Sequence, residues 1–371
     1  MVSKKLVRVS IVGGGPAGLA AAIAIGQSGG QATVIDNAEP PIEKACGEGL
    51  MPDSVTALEQ LGVTVPFDVG FRFRGIRFSD AHSSVAAEFP NGVGIGVRRA
   101  VLHDLLLQRA RELGVEGIWG AKRVQLIDGE VHANGCRVAS DFVVAADGQN
   151  SATRRSIGLH QVVHERQRYA FRRHYRIAPW SPYMELHWGP KCQIYITPVA
   201  PGEICVVSMA RSPKVRLDDA LAHFPALRER LAGVGHSSRE KGALTISRTL
   251  RRVSQDRIAL IGDASGSVDA ITGEGLCLSF RQAVPLAAAI ELGDLEAYET
   301  SHRRFSRRPQ RMASLMLTLD RSRSFQKRAL ASLAAHPAIF ASLLGVHVGG
   351  QSFCDLISWQ LLSFCRTFLE A

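Results

Sequence analysis

The stretch Val7-Arg8-Val9-Ser10-Ile11-Val12-Gly13-Gly14-Gly15-Pro16-Ala17-Gly18-Leu19-Ala20-Ala21-Ala22-Ile23-Ala24, answered by Ala32-Thr33-Val34-Ile35-Asp36, decides how the rest of the chain is read. A short β-branched run is a strand by composition. It passes directly into G-x-G-x-x-G, then into a run of helix formers, then into a second strand that ends on an acid. Gly13 allows the tight turn, Gly15 lets a pyrophosphate approach the backbone, and Gly18 lets the helix sit close on the sheet. Pro16 and Ala17 open the helix, whose unpaired N–H groups and partial positive charge suit phosphates. Asp36 stands eighteen residues past Gly18, where a carboxylate reaches the hydroxyls of an adenosine ribose. The reading is a dinucleotide site on a Rossmann-like α/β unit.

The 371 residues are enough for two or more domains and a large core. With 46% hydrophobic and 21% charged residues the composition is that of a soluble globular protein. The first apolar run belongs to the strand before the glycines, so no secretory leader is expected. No uninterrupted apolar run reaches the roughly eighteen residues of a spanning helix. The seven cysteines are Cys46, Cys136, Cys192, Cys205, Cys277, Cys354 and Cys365. They are scattered and form no C-x-x-C pair, which argues against a disulfide framework or a zinc site and for a reducing cytoplasm. The net charge of +10 gathers late, in Arg303, Arg304, Arg307, Arg308, Arg311, Arg321, Arg323, Lys327 and Arg328. That cluster reads either as a solvated helix face or as a surface for anionic lipid or an acidic carrier protein. No recognition module accompanies it, so nucleic acid is not an expected partner.

Along the chain, a helix is expected from Pro52 to about Leu61 and another over Arg99 to Leu113, stopped by Gly62 and Gly114. Strands are expected over Phe71 to Phe78 and Ser84 to Phe89, joined by a polar turn at Asp80 to Ser83. Short strands follow near 115–119, 122–127, 130–134 and 136–144. From Arg166 to about Met209, strand-like runs and proline turns read as an inserted antiparallel sheet. The run Arg257 to Ile261 returns to strand character, and from Glu274 the chain is mostly helical, with breaks at Pro309, Pro337 and Gly349-Gly350.

Two further glycine-acid elements accompany the first: Asp147-Gly148-x-x-Ser151-x-x-Arg154, and Gly262-Asp263-Ala264 followed by Thr272-Gly273-Glu274-Gly275. Alone, each is a common turn or cap. Together and in this order, to about residue 290, they resemble the FAD-binding set of the p-hydroxybenzoate hydroxylase-like flavoproteins, geranylgeranyl reductases among them. The resemblance implies a discontinuous FAD-binding domain over 1–75, 98–165 and 250–300. It further implies a substrate sheet over 76–97 and 166–249, with a helical region over 301–371. It implies that Asp263 bonds the ribityl chain of FAD and that Asp147, Gly148 and Arg154 support the nucleotide region. Arg99, with Arg98 as the near alternative, would approach the cofactor. The turn Gly273, Glu274 and Gly275 would set N–H groups beside the flavin ring, with Gly262 ahead of Asp263.

Lys44-x-Cys46-Gly47-Glu48-Gly49-Leu50 and the Gly-Glu-Gly turn resemble the corresponding stretches of geranylgeranyl and menaquinone reductases. Glu48, an acid in a glycine-rich loop, is the expected proton donor, and Cys46 is expected to line the ring. Each also reads as a loop residue with no chemistry. The expected reaction is hydride transfer from FAD, reduced by NADH or NADPH, to a double bond in an apolar prenyl, lipid-like or aromatic polyketide-like substrate. Hydroxylation of an aromatic substrate is the alternative. Halogenation is disfavoured because the Trp-x-Trp-x-Ile motif is absent, and a flavoprotein without net redox remains a further class. Tyr169, Phe171, His174, Tyr175, Trp180, Tyr183, Trp188 and Tyr195 are expected to form an aromatic substrate wall. The C-terminal apolar residues from Leu330 to Phe368 are expected to pack on the flavin domain, to cover the substrate entrance, or to rest on a membrane surface beside the basic cluster.

Overall fold

The computed structural model describes residues 6–320, 322–352 and 366–368. The opening run folds as strand Arg8–Val12, helix Pro16–Gln27 and strand Gln31–Ile35. Arg8–Val12 lies between two parallel neighbours, with Ile11 opposite both Val34 and Val144. The full six-stranded order is Ser254–Gln255, Ile258–Leu260, Phe142–Ala145, Arg8–Val12, Gln31–Ile35, Glu116–Ile118. Only the Ser254–Gln255 edge is antiparallel. Central strands covered on both faces must be apolar throughout, which is why Phe142–Ala145 and Ile258–Leu260 read as unbroken hydrophobic runs. Helix Pro16–Gln27 packs on helices Gly275–Leu292 and Arg99–Glu112, its row of alanines permitting close contact. Gly275–Leu292 is long and apolar enough to cross a membrane, yet 56% of it is buried inside the molecule.

A second sheet of seven strands runs Lys241–Leu250, Val162–Tyr175, Glu203–Ala210, Cys192–Ala200, Tyr183–Trp188, Gly75–Ser79, Ser84–Glu88. Its two faces serve different cores, as the two-residue period of a strand requires. Met184, Leu186, Tyr195, Val207 and Met209 face the C-terminal helices. Ile194, Ile196, Ile204 and Val206 face two short helices, Leu217–Leu221 and Pro225–Leu231, that the sequence reading did not find. The expected strand Phe71 to Phe78 is two strands in different sheets, Phe71–Phe73 and Gly75–Ser79. The break falls at Arg74, whose N–H turns to the carbonyl of Pro182. The stretch 136–144 likewise splits into Cys136–Val138 and the start of Phe142–Ala145.

The C-terminal region forms helices Leu295–Leu319, Arg323–Ala335 and Pro337–His347. Pro309 does not interrupt the first of them, contrary to expectation. Proline removes one backbone bond, and the buried face Met312, Ala313 and Met316 holds the helix through it. Pro337 does separate two helices, standing at the start of the last. The apolar residues from Leu356 to Phe364 lie outside the described residues.

Candidate active site

The three glycine-acid elements meet at the carboxyl ends of the parallel strands, where open α/β sheets bind ligands. Gly13 adopts φ +110°, and a Cβ there would stand 2.4 Å from the carbonyl oxygen of Ala146, just before Asp147. Gly262 adopts φ +61°, and a Cβ there would stand 2.5 Å from the Cβ of Ala17. Arg154, fully buried, donates to the carbonyls of Ala264 and Gln149, each at 2.8 Å. First motif touches second, third touches first, and Arg154 ties second to third. Burial pushes the Arg154 guanidinium down to about 10, and it is still charged at neutral pH.

Around this junction the groups a dinucleotide needs are in place. Gly15 caps helix Pro16–Gln27 with no side-chain bond to the first N–H groups, and the space above its Cα is open. Gly18 lies so close to the carbonyl of Gly13 that no side chain fits. The carboxylate of Asp36 accepts from the N–H of Gly14 at 2.6 Å and of Ala38 at 2.8 Å, and each oxygen retains a lone pair. Asp263 pairs with Lys44 at 3.1 Å. Asp147 accepts the N–H of Thr153 through one oxygen, and its other oxygen is buried without a partner. Gly148 is in the left-handed region with open space around it. Arg99 opens helix Arg99–Glu112, and its Nε is buried without a partner, whereas Arg98 is committed to Glu203 at 2.8 and 3.0 Å. Between the two arginines, Arg99 is the one left for a ligand. These unpaired groups and the open glycine cradle fit FAD.

The sequence reading missed His103. It is fully buried one turn after Arg99, and its Nε2 donates to the carbonyl of Gly14 at 2.9 Å. Burial lowers its pKa and keeps it neutral, so it braces the glycine turn as a donor. The signal was its spacing of four from Arg99 on one helical face.

Glu48 is buried at 2% exposure, with φ +59°. One oxygen accepts the N–H of Arg99 at 3.1 Å, and the other lies 2.6 Å from Nε2 of His174. Arg172 can only donate, and it stands 2.8 Å from Nδ1 of His174. Nδ1 is therefore the acceptor, and Nε2 carries the proton given to Glu48. Arg172 continues to Glu43 at 2.7 Å, and Lys241 bonds the same carboxylate. Hydrogen bonds from Arg172 and Lys241 hold Glu43 down to about 2. Cys46 accepts the N–H of Glu48 at 3.4 Å. Cys205 joins Glu48 and His174 in one buried group, its thiol pushed well up by burial.

Beyond the loop lies a cavity of about 540 Å³. Met51, Ile76, Phe78, Met184, Leu186 and Tyr195 form one wall, and Met312, Met316, Leu333, Phe340 and Leu344 from the C-terminal helices form the other. It reaches Thr272 and Gly273 of the Gly-Glu-Gly turn but not Glu48 or Cys46. Of the expected aromatic wall only Tyr195 lines it; Trp188 packs in the core beside it, and Phe171, Tyr175 and Trp180 belong to the opposite face of the sheet. Gly273 is left-handed at φ +69°, and Gly275 starts helix Gly275–Leu292 with no side-chain cap. Between them Glu274 is 1% exposed, and burial raises its pKa. Arg308 bonds it at 3.2 Å and Asp53 at 2.5 Å. The free oxygen of Glu274 and the Nδ1 of His347, both buried without a hydrogen bond, face one another at 3.7 Å.

The comparisons with known proteins agree with this geometry. The family model described as FAD binding domain matches residues 6–68 and 121–316. Menaquinone reductase of Mycobacterium tuberculosis (strain ATCC 25618 / H37Rv) is 28% identical over 295 residues, 72% of each chain. Aurachin C monooxygenase/isomerase of Stigmatella aurantiaca is 25% identical over 315 residues, 76% of this chain and 80% of that one. The crystal structure of a flavoprotein/dehydrogenase from Cytophaga hutchinsonii superimposes with TM-score 0.77 at 18% identity, over 93% of both chains, and speaks for the fold alone. The chain belongs to the FAD-binding family of the p-hydroxybenzoate hydroxylase-like superfamily and is an FAD-dependent oxidoreductase.

Proposed function

We propose that the protein reduces a double bond in an apolar substrate of prenyl, lipid-like or aromatic polyketide-like character, with FAD supplying the hydride and NADH or NADPH the electrons. The observation that carries this reading is the cavity of about 540 Å³ with its almost wholly apolar lining, running up to Gly273. A reduction needs the acceptor held over the ring and a proton within reach, and no oxygen pocket. The proton source this cavity offers is His347, which lines it, backed by the buried acid Glu274. Glu48, bonded through both oxygens outside that lining, acts instead as a positioning residue for Arg99, and Cys46 shapes the same loop. Similarity to a menaquinone reductase supports the assignment.

Hydroxylation is the second reading, favoured by the same enclosed apolar wall, since excluding water also protects an oxygenating flavin. Similarity to a monooxygenase/isomerase stands behind it. Anaerobic turnover with NADH or NADPH and a prenylated quinone separates the two by product mass. Two added hydrogens without oxygen support reduction. An oxygenated product formed only in air overturns it.

A further inference from the structure

Two residues of the cavity lining reach the surface on helices that carry exposed cations, one of them, Phe325, edge-on to Phe368. Leu315 and Phe325 line the cavity while remaining 42% and 38% exposed. On helix Leu295–Leu319, Arg304, Arg307, Arg311 and Leu315 follow at spacings of three and four, so they form one exposed stripe. On helix Arg323–Ala335, exposed Arg323, Lys327 and Arg328 surround Phe325 in sequence. Among the described residues none of these six cations has a carboxylate partner within 4 Å, whereas Arg303 and Arg308 nearby are paired. The one carboxylate in residues 301–335, Asp320, turns onto Arg168, Gln193 and Arg211. Concentrated cations with exposed apolar side chains between them are the pattern of a helix that rests on anionic lipid.

We infer that this face docks on an anionic bilayer surface, seating Leu315 and Phe325 at the acyl boundary so that a lipid-dissolved substrate enters the cavity without crossing water. The inference rests on the reading that the cavity takes an apolar substrate. An acidic protein would match the charge equally well, but it would give no reason for cavity-lining apolar side chains to be exposed among the cations.

The test uses the full FAD-loaded chain and cosedimentation with vesicles of phosphatidylcholine, with and without phosphatidylglycerol. Binding should require phosphatidylglycerol and disappear at high salt. The triple variant R311Q/K327Q/R328Q should bind on the order of a hundredfold more weakly. L315S/F325S should also lose binding with its charge unchanged, and retained flavin absorbance certifies that both variants are folded. Failure to bind at low salt, equal binding to neutral vesicles, indifference to either variant, or equal capture by polyglutamate would overturn the inference. Because the assay needs no turnover, its failure is separate from failure of the reductase reading: a protein that reduces quinones yet ignores vesicles loses only the surface.

Discussion

At the scale of single residues, the cofactor site was legible because each of its parts answers a local need. The glycines, Asp36 and Asp263 are recognisable from neighbours a few positions away, since a tight turn and a helix N-terminus are local structures. Asp36 shows what the sequence could not tell. Its carboxylate already holds the N–H groups of Gly14 and Ala38, so it shapes the turn in addition to the ribose role expected of it. Asp36→Ala should therefore weaken FAD retention by about 1–3 kcal/mol, the range of a hydrogen bond to a charged group. Calorimetric titration of the apoprotein with FAD measures it, and an unchanged affinity would remove Asp36 from the site. The partners of Glu48 were illegible for the opposite reason. His174, Arg172 and Glu43 reach it from a strand and a loop that only the folded sheet brings near. An acid in a glycine-rich loop looks available from sequence; this one is buried and engaged.

At the scale of elements, the long helix Leu295–Leu319 holds the glycine turns around Gly262 and Gly273, and two contacts make it testable. His302 donates through Nε2 to the hydroxyl of Ser265 at 2.9 Å, that hydroxyl being engaged in turn with the carbonyl of Gly262. Burial pushes His302 down from 6.5 to about 4. Between those two pH values the unfolded chain binds a proton that the folded one refuses. Its contribution to stability is thus complete above pH 6.5 and is lost as pH falls toward 4, with an upper bound of about 3 kcal/mol. Thermal melts across that interval should fall steeply for the native protein and less so for His302→Gln; parallel curves would exclude His302 as the cause. Lower on the helix, Arg308 neutralises Asp53 and Glu274. Arg308→Ala should cost about 1–3 kcal/mol by leaving the buried carboxylate of Glu274 without its hydrogen-bonded cation, while part-exposed Asp53 keeps Arg281 at 3.8 Å. Adding Glu274→Gln should recover part of that loss in urea denaturation, and no recovery would mean the two do not share the site. The Arg308 contacts could not be read from the basic run, which suggested a solvated helix face or a surface for anionic lipid or an acidic carrier. Pro309 misled in the same way, because a local helix breaker was overruled by tertiary packing.

At the scale of the whole molecule, the large apolar cavity is made by two units that the sequence presents far apart. The seven-stranded sheet supplies one wall, the C-terminal helices the other, and the turn at Thr272 and Gly273 the end. Alternation along the strands was visible, but which face met which neighbour was not, so the aromatic residues were grouped together when the fold divides them. A bulky side chain set into the helical wall tests this construction directly. Ala329 is buried and lines the cavity on helix Arg323–Ala335, away from every FAD-facing motif. Ala329→Trp would project an indole into the open volume instead of into packed core, where overpacking usually costs about 1–3 kcal/mol. FAD content should remain at the native value, and the melting temperature should hardly move. Turnover of a long prenylated quinone should fall through a raised KM, while a short-chain quinone that fits the remaining space keeps most of its rate. If long and short substrates respond alike, the substrate does not occupy this cavity. If FAD is lost as well, the cavity wall and the cofactor site are one cooperative unit, and the helices act as part of the FAD fold, not as its lid.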